Sequence, residues 1–146
     1  MKLGIAIALS HNAKFLILDD AAAGLDPVVR DELVEILHDF TRDPDHSVLI
    51  SSHIVSDLEK LCDYVAFLHK GKLLLCGEKD QLITDHGLLH CTAQELQLLP
   101  DDAIKYKKEN PYGVEAVVLR NTVPSGFTVS PISIKELFVF MVKEAK

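Results

Sequence analysis

Phe15-Leu-Ile-Leu18 is an unbroken apolar run closed by two acids, Asp19 and Asp20. So short a run, bounded on both sides by polar residues, suits a strand buried on both faces, as in a parallel sheet. The acids then stand at the carboxyl edge of that strand, where open α/β sheets bind their ligands. A carboxylate at that edge can hold Mg²⁺ beside phosphates, because Mg²⁺ takes oxygen ligands and keeps several waters. The second acid has left the strand and can turn toward an attacking water. From this run alone, two solvated acids capping a loop are an equal reading.

The flanking sequence adds the rest of the layer. Residues 2–10 suit a helix, and His11-Asn-Ala-Lys14 a turn. After Asp20 a loop is punctuated by Gly24 and Pro27, with Asp26 placed to cap the next helix and Pro27 at its first position. Val29, Leu33, Ile36, Leu37 and Phe40 recur at helical spacing over 28–41 and are expected to face inward. Asp43-Pro-Asp-His46 breaks that helix. Ser47-Val-Leu-Ile50 reads as a second strand running into Ser51-Ser-His53, and residues 54–62 as a short helix with Ile54, Leu58 and Leu61 inward. Tyr64–His69 is a third strand, Lys70-Gly71 a tight turn, and Lys72–Cys76 the returning hairpin strand, ended by Gly77 before a helix over Glu78–Ile83. Strand, helix, strand, helix, strand implies an α/β fold with right-handed crossovers and parallel core strands, followed by a hairpin.

The character of the chain changes near residues 84–88, so the sequence divides into 1–84 and a tail, 85–146, expected to be small and α+β. The tail predicts a helix near Ala93–Leu99, a polar stretch ending at Gly113, a strand over Val114–Leu119, turns over Thr122–Pro131 and a terminal helix over Ile132–Lys143. Lys105-Tyr-Lys-Lys108 reads as a solvated loop. No internal repeat or low-complexity segment is visible.

Composition excludes several classes. The 146 residues are 48% hydrophobic with a formal net charge of −7, so the chain can bury a core and lacks the basic face a general nucleic-acid binder needs. Cys62, Cys76 and Cys91 are odd in number and form no C-x-x-C pair, which argues for reduced thiols rather than a disulfide framework or zinc knuckle. The apolar stretch at the N-terminus is too short to span a bilayer and has no A-x-A-like cleavage site, so it reads as the end of a core helix. No other segment is apolar enough for membrane insertion.

His53 is the histidine with a special position: it follows the end of the strand expected beside Asp19 and Asp20, within reach of a γ-phosphate or its attacking water. Together, Leu16-Ile-Leu-Asp19-Asp20-Ala-Ala-Ala-Gly24-Leu25-Asp26-Pro27 resembles the Walker B strand and D-loop of ATP-binding cassette (ABC) transporter ATPases. Ser51-Ser-His53, Asp57, Glu59, Asp63-Tyr-Val-Ala-Phe-Leu68, Lys70-Gly71-Lys72 and Gly77 resemble the family's switch-histidine region and the hairpin after it. Met1–Leu9 resembles the helix that follows the signature loop. The resemblance covers residues 1–84 and implies part of a P-loop NTPase sheet. It implies that Asp19 supports Mg²⁺ through water, that Asp20 takes the place of the catalytic base, and that His53 contacts the γ-phosphate. Gly24, Leu25 and Asp26 would form the D-loop facing a partner subunit. Residues 85–146 resemble the variable tail of exporter-type cassettes, closing in Ser133-Ile-Lys-Glu-Leu-Phe138. The implied cofactors are ATP and Mg²⁺ in the complete domain. The implied partners are a membrane permease and a second ATPase subunit, at the cytoplasmic side of the membrane.

Two departures from the family matter. No G-x-x-x-x-G-K-[ST], signature loop or Q-loop segment occurs in the sequence. A triphosphate needs backbone N–H groups and a cation around its β and γ oxygens, so this chain alone is expected to bind ATP weakly or not at all and to be inactive. The first strands of the family's sheet are not in this sequence either, so Phe15–Leu18 is expected to expose an edge and apolar faces. Met1 stands where the family can carry an internal residue, which suggests a truncated gene, a gene fragment or a misassigned start. The second departure is Asp20, where the family usually has the longer glutamate; slow hydrolysis is the expected consequence. Ala21 and Ala22 are milder changes. Two other readings compete. One is a non-catalytic module that pairs with or regulates a transporter chain. The other is a receiver-like phosphoacceptor using Asp19 or Asp20 with Ser51 and Lys70. The latter needs acids on an earlier strand, and Met1–Lys14 contains none.

Overall fold

The computed structural model describes residues 2–144, so the expectation resting on Met1 lies outside it. The chain forms two compact units, Met1–Leu61 and Cys62–Lys146. They divide ahead of the change of character near residues 84–88.

The first unit runs α1 (Lys2–Ser10), β1 (Phe15–Asp19), α2 (Pro27–Thr41), β2 (Ser47–Ser51) and α3 (Val55–Leu61). Helix α1 ends where Asn12 adopts φ 52°, the left-handed conformation in which helices commonly terminate and which Asn tolerates better than most residues. Asp26 caps α2: its Oδ1 accepts from the N–H groups of Val28 and Val29, each at 3.1 Å, and Pro27 opens the helix with the φ it needs. Strands β1 and β2 are parallel, in register from Phe15 opposite Ser47 to Asp19 opposite Ser51.

Strand alternation decides the core. Leu16, Leu18, Val48 and Ile50 share one face, and they pack with Ile5 of α1, Leu33 and Leu37 of α2 and the loop residues Ala21 and Ala22. Leu37 is fully buried; truncating such a leucine to alanine costs about 2–5 kcal/mol through lost transfer energy and the cavity left behind. The opposite face carries Phe15, Ile17 and Leu49, which are 53%, 69% and 58% exposed. Burial on both faces, expected from the apolar run, is therefore not met within the described residues, because the core residues of α1 and α2 cluster on the Leu16 side. Ile36 is also exposed rather than inward; it lies beside, not on, the stripe formed by Leu33, Leu37 and Phe40.

The second unit runs β3 (Tyr64–His69), β4 (Lys72–Glu78), α4 (Lys79–Asp85), β5 (His86–Cys91), α5 (Ala93–Leu96), β6 (Ile104–Asn110), β7 (Gly113–Leu119), β8 (Val129–Ser130) and α6 (Ile134–Glu144). Strands β3 and β4 form an antiparallel hairpin. Its two-residue turn places Lys70 at φ 48° and Gly71 at φ 75°, as tight hairpins require. The third strand is thus paired antiparallel with its hairpin partner, and β1–β2 is the parallel pair among the described residues. Gly77 does not end β4; it pairs with Val65, and the strand continues to Glu78.

The tail contains a four-stranded antiparallel sheet in the order β6-β7-β5-β8. Lys105–Lys108, expected as a loop, belongs to β6. The lysines tolerate this because β6 lies at the sheet edge, where charge blunts further pairing, while Tyr106 is half-buried opposite Val117. The helix expected over Ala93–Leu99 shortens to the single turn of α5, capped reciprocally by Thr92 and Glu95. The terminal helix α6 buries Ile134, Leu137, Phe140 and Met141, and Phe138 meets Phe67 edge-on with ring centres 5.0 Å apart.

Candidate functional site

The parallel register of β1 and β2 brings their carboxyl ends together. Asp19 and Ser51 are paired residues at that end, and the Ser51 hydroxyl donates to Asp19 Oδ1. The next residue leaves the strand sharply: Asp20 adopts φ 47°, an unusual conformation for a residue other than glycine. Two bonds hold it there, its N–H lying 3.0 Å from both the backbone oxygen and Oγ of Ser51. The turn aims the Asp20 carboxylate at His53, whose Nδ1 lies 2.9 Å and 3.0 Å from its two oxygens. Carboxylate oxygens accept, so Nδ1 is the donor in that contact. Nε2 is then an acceptor in the neutral ring and a donor in the charged one.

Sequence reasoning placed Asp19, Asp20 and His53 on one rim, and the structure brings them together there. Gly24, Leu25 and Asp26 occupy the loop that leads away from the rim. Gly24 takes φ 71°, open to glycine without strain. The Asp26 carboxylate is engaged as the cap of α2. The loop closes on itself through Ala23 N–H to Asp20 O at 2.9 Å and Leu25 N–H to Ala22 O at 3.3 Å, while Ala21 and Ala22 anchor it in the core. Small residues at those two positions let the loop turn directly against β1.

One residue the sequence reading passed over also belongs to this region. Arg30, on the first turns of α2, donates from Nη2 to the Leu25 carbonyl at 3.2 Å, and its Nε lies 3.4 Å from Asp57 Oδ2 on α3. The only signal in the sequence is a cation next to the inward-facing Val29.

The donor set fits Mg²⁺ shared with a phosphate. One strand-end carboxylate beside a hydroxyl leaves most coordination positions to water and phosphate oxygens, the usual way Mg²⁺ is held. It does not form a self-contained cage: no cluster of three or more His, Cys, Asp or Glu residues able to hold a metal occurs among the described residues. The rim does not fit the triphosphate by itself, since two carboxylates repel phosphate where a cation and converging N–H groups are needed. No described helix is long and apolar enough to cross a membrane.

Comparison with known proteins finds partial relatives of the chain. The chain is 44% identical over 79 residues to the lantibiotic transport ATP-binding protein SrtF of Streptococcus pyogenes, a stretch covering 54% of the chain and 34% of SrtF. It is 44% identical over 73 residues to the bacitracin transport ATP-binding protein BcrA of Bacillus licheniformis, covering 50% of the chain and 24% of BcrA. A longer match, 31% identical over 131 residues, covers 90% of the chain and 42% of YxlF, an uncharacterized ABC transporter ATP-binding protein of Bacillus subtilis. The chain therefore spans less than half the length of these relatives. No protein-family model matches it. With its mixed α/β structure, the chain is a homologue of ABC transporter ATP-binding proteins over a partial, C-terminal-type region of their sequence.

Proposed function

We propose that this chain contributes the Mg²⁺- and γ-phosphate-facing edge of an ABC exporter ATPase, the subunit that couples ATP binding and hydrolysis to transport. The observation that supports the reading most is the convergence of Asp19, Asp20 and His53 at the carboxyl end of a parallel strand pair. Asp19, oriented by the Ser51 hydroxyl, holds Mg²⁺ through water; the metal when bound supplies charge neutralisation at phosphate oxygens. Asp20 positions the attacking water, and His53, steadied by Asp20 through Nδ1, offers Nε2 toward the γ-phosphate. Gly24, Leu25 and Asp26 form the loop that faces a second ATPase subunit. The names of SrtF and BcrA refer to lantibiotic and bacitracin transport, so a peptide antibiotic or a related amphiphile is the proposed cargo class. A membrane permease is the proposed docking partner, with the chain at the cytoplasmic face of the membrane.

Because the rim lacks a phosphate cradle, the 146-residue chain on its own is proposed to bind ATP weakly and to be inactive. A second reading, a non-catalytic module that pairs with another transporter chain, is favoured by the apolar face of Phe15, Ile17 and Leu49, which needs cover. Titration of the purified chain, followed through its backbone amide resonances, tests the assignment. Mg²⁺ is expected to shift Asp19, Asp20 and Ser51, and ATP without a partner is expected to bind far more weakly than micromolar. Micromolar ATP affinity would contradict the missing cradle, and Mg²⁺ shifts elsewhere in the chain would remove Asp19 from the metal site.

A further inference from the structure

We propose that Arg30 is a positioning residue that ties the Ala21–Asp26 loop to the segment carrying His53, so that the two move as one body. The inference rests on the functional reading above, in which the loop faces a partner subunit and His53 faces the nucleotide.

The geometry is that of a clamp with two jaws. One jaw is the bond from Arg30 Nη2 to the carbonyl of Leu25, at 3.2 Å. The other is the ion pair from Arg30 Nε to Asp57 Oδ2, at 3.4 Å. Asp57 lies in the first turn of α3, and its N–H donates to Ile54 O at 3.2 Å, which ties it to the residue after His53. Helix α2, from which Arg30 reaches, is itself fixed in the core by Leu33 and Leu37. The guanidinium is thus mounted on a rigid element and holds one point on the Ala21–Asp26 loop and one on the first turn of α3.

The pair is also largely withdrawn from water. The side chains are 25% and 13% exposed, Arg30 and Asp57 respectively. Arg30 Nε and Asp57 Oδ2 are both buried and have no hydrogen-bond partner, so each depends on the other's charge. A small cavity lined by Ala22, Leu33, Ile50, Ser52 and Leu58 adjoins them. Breaking a pair of this kind leaves an uncompensated buried charge, so the Asp57 jaw holds the guanidinium in place for its bond to the Leu25 carbonyl. Arginine suits the role because its planar fork places donors on separate nitrogens, Nη2 and Nε, in a fixed geometry, whereas lysine's three donors all radiate from one nitrogen.

Amide hydrogen exchange on the purified chain tests the clamp without nucleotide. Arg30→Ala is expected to speed exchange about tenfold or more at Ala23 and Leu25 and at Ile54 and Asp57 together. Ile17 and Leu49, in the strands, are expected to stay as they were. Ring-proton resonances of His53 are expected to shift in the same variant. Arg30→Lys is expected to split the effect: a lysine keeps the ion pair with Asp57, so exchange at Ile54 and Asp57 and the His53 resonances return toward wild type, while Ala23 and Leu25 stay fast. A uniform rise across all amides would overturn the proposal, since it would show only lost stability. So would loosening of one segment alone in Arg30→Ala. None of these outcomes depends on ATP, so a failed nucleotide titration and a failed clamp are separable results.

Discussion

His53 Nδ1 sits 2.9 Å from Asp20 Oδ1 although the two residues lie on different loops, each just past the end of a separate strand. The contact follows from the backbone. Asp19 and Ser51 are in register at the ends of β1 and β2, so residues just beyond them leave the sheet side by side. The left-handed turn at Asp20 then swings its carboxylate across to the neighbouring strand's exit. The acid that would position water is thereby held on the imidazole that would face phosphate.

This pairing gives the substitution at Asp20 a direction. Aspartate is one methylene shorter than the glutamate usual in the family, and here its carboxylate is drawn onto His53. A displacement on the order of 1 Å from the productive geometry costs about 10²-fold in rate. In an ATPase that carries this segment together with a phosphate-binding loop, Asp20→Glu is expected to raise phosphate release by up to about that factor. Steady-state phosphate release at saturating Mg-ATP measures it. An unchanged rate would take Asp20 out of the water-positioning role.

Ser51 links both acids. Its hydroxyl donates to Asp19 Oδ1, and its Oγ lies 3.0 Å from the Asp20 N–H. Ser51→Ala removes both contacts, but Asp20 N–H keeps the Ser51 carbonyl at 3.0 Å. The stability loss should therefore be modest, about 1 kcal/mol. Groups that orient a metal ligand matter more to the metal than to the fold, typically 10- to 100-fold in affinity or activity. Mg²⁺ affinity, read from the Asp19 amide shift, is expected to fall about tenfold, with Ser51→Thr retaining most of it. Equal losses of Mg²⁺ affinity in both variants would count against the hydroxyl as the orienting group.

The first unit was legible in the sequence because each of its signals is local. An apolar run fixes β1, an Asp-Pro pair fixes the start of α2, and a Ser-Ser-His exit fixes the rim. What the sequence did not reveal there depends on partners: Arg30 reads as one more helical cation until Leu25 and Asp57 stand beside it. The apolar run reads as a strand with exposed apolar faces, but which residues are exposed, Phe15 and Ile17 rather than Leu16 and Leu18, is decided by the side on which α1 and α2 pack. The tail was harder. Strand β5 passes through His86, Gly87 and His90, which mask the buried Leu89. Strand β6 is an edge strand of lysines whose strand character comes from pairing with β7, so it has no apolar signature of its own. The terminal helix α6 was visible because its apolar spacing is helical throughout.

The start of α6 carries a pH dependence. Glu136 Oε2 accepts from the Ser133 N–H at 2.9 Å and from the Ser133 hydroxyl at 2.7 Å, and the Glu136 N–H lies 3.2 Å from Ser133 Oγ. These bonds favour the carboxylate, and the backbone bond leads in holding Glu136 below its ordinary value. A carboxylate depressed in the folded state contributes stability that is complete above the unfolded value, near pH 4.3. That contribution disappears as pH falls through the lower, folded value. Glu95 is lowered in the same way by its bonds to Thr92. Urea midpoints measured from about pH 6 down to about pH 3 should fall less steeply for Glu136→Gln than for wild type over the window below pH 4.3. Matching slopes in the two proteins would mean that this carboxylate is not linked to folding.

Gly87 and Gly4 should respond to alanine in opposite ways. A Cβ at Gly87 would overlap Val129 Cγ1 and approach Arg120 Nε and Ser130 O to 3.0 Å. Arg120 is the clip that joins β5 to β8 here, donating to His86 O at 2.8 Å and to Ser130 O at 2.7 Å. The added methyl would wedge between the strands and misalign the clip, so Gly87→Ala is expected to cost about 1–3 kcal/mol, the usual range for an overpacked site. Gly4 lies within α1 and a Cβ there meets nothing within 4 Å, so Gly4→Ala relieves helical entropy and should stabilise by about 0.5–1 kcal/mol. Denaturant midpoints of the two variants measure both effects. A neutral Gly87→Ala would mean that β8 and Arg120 yield readily, and the β5–β8 pairing would then contribute little to holding the tail sheet.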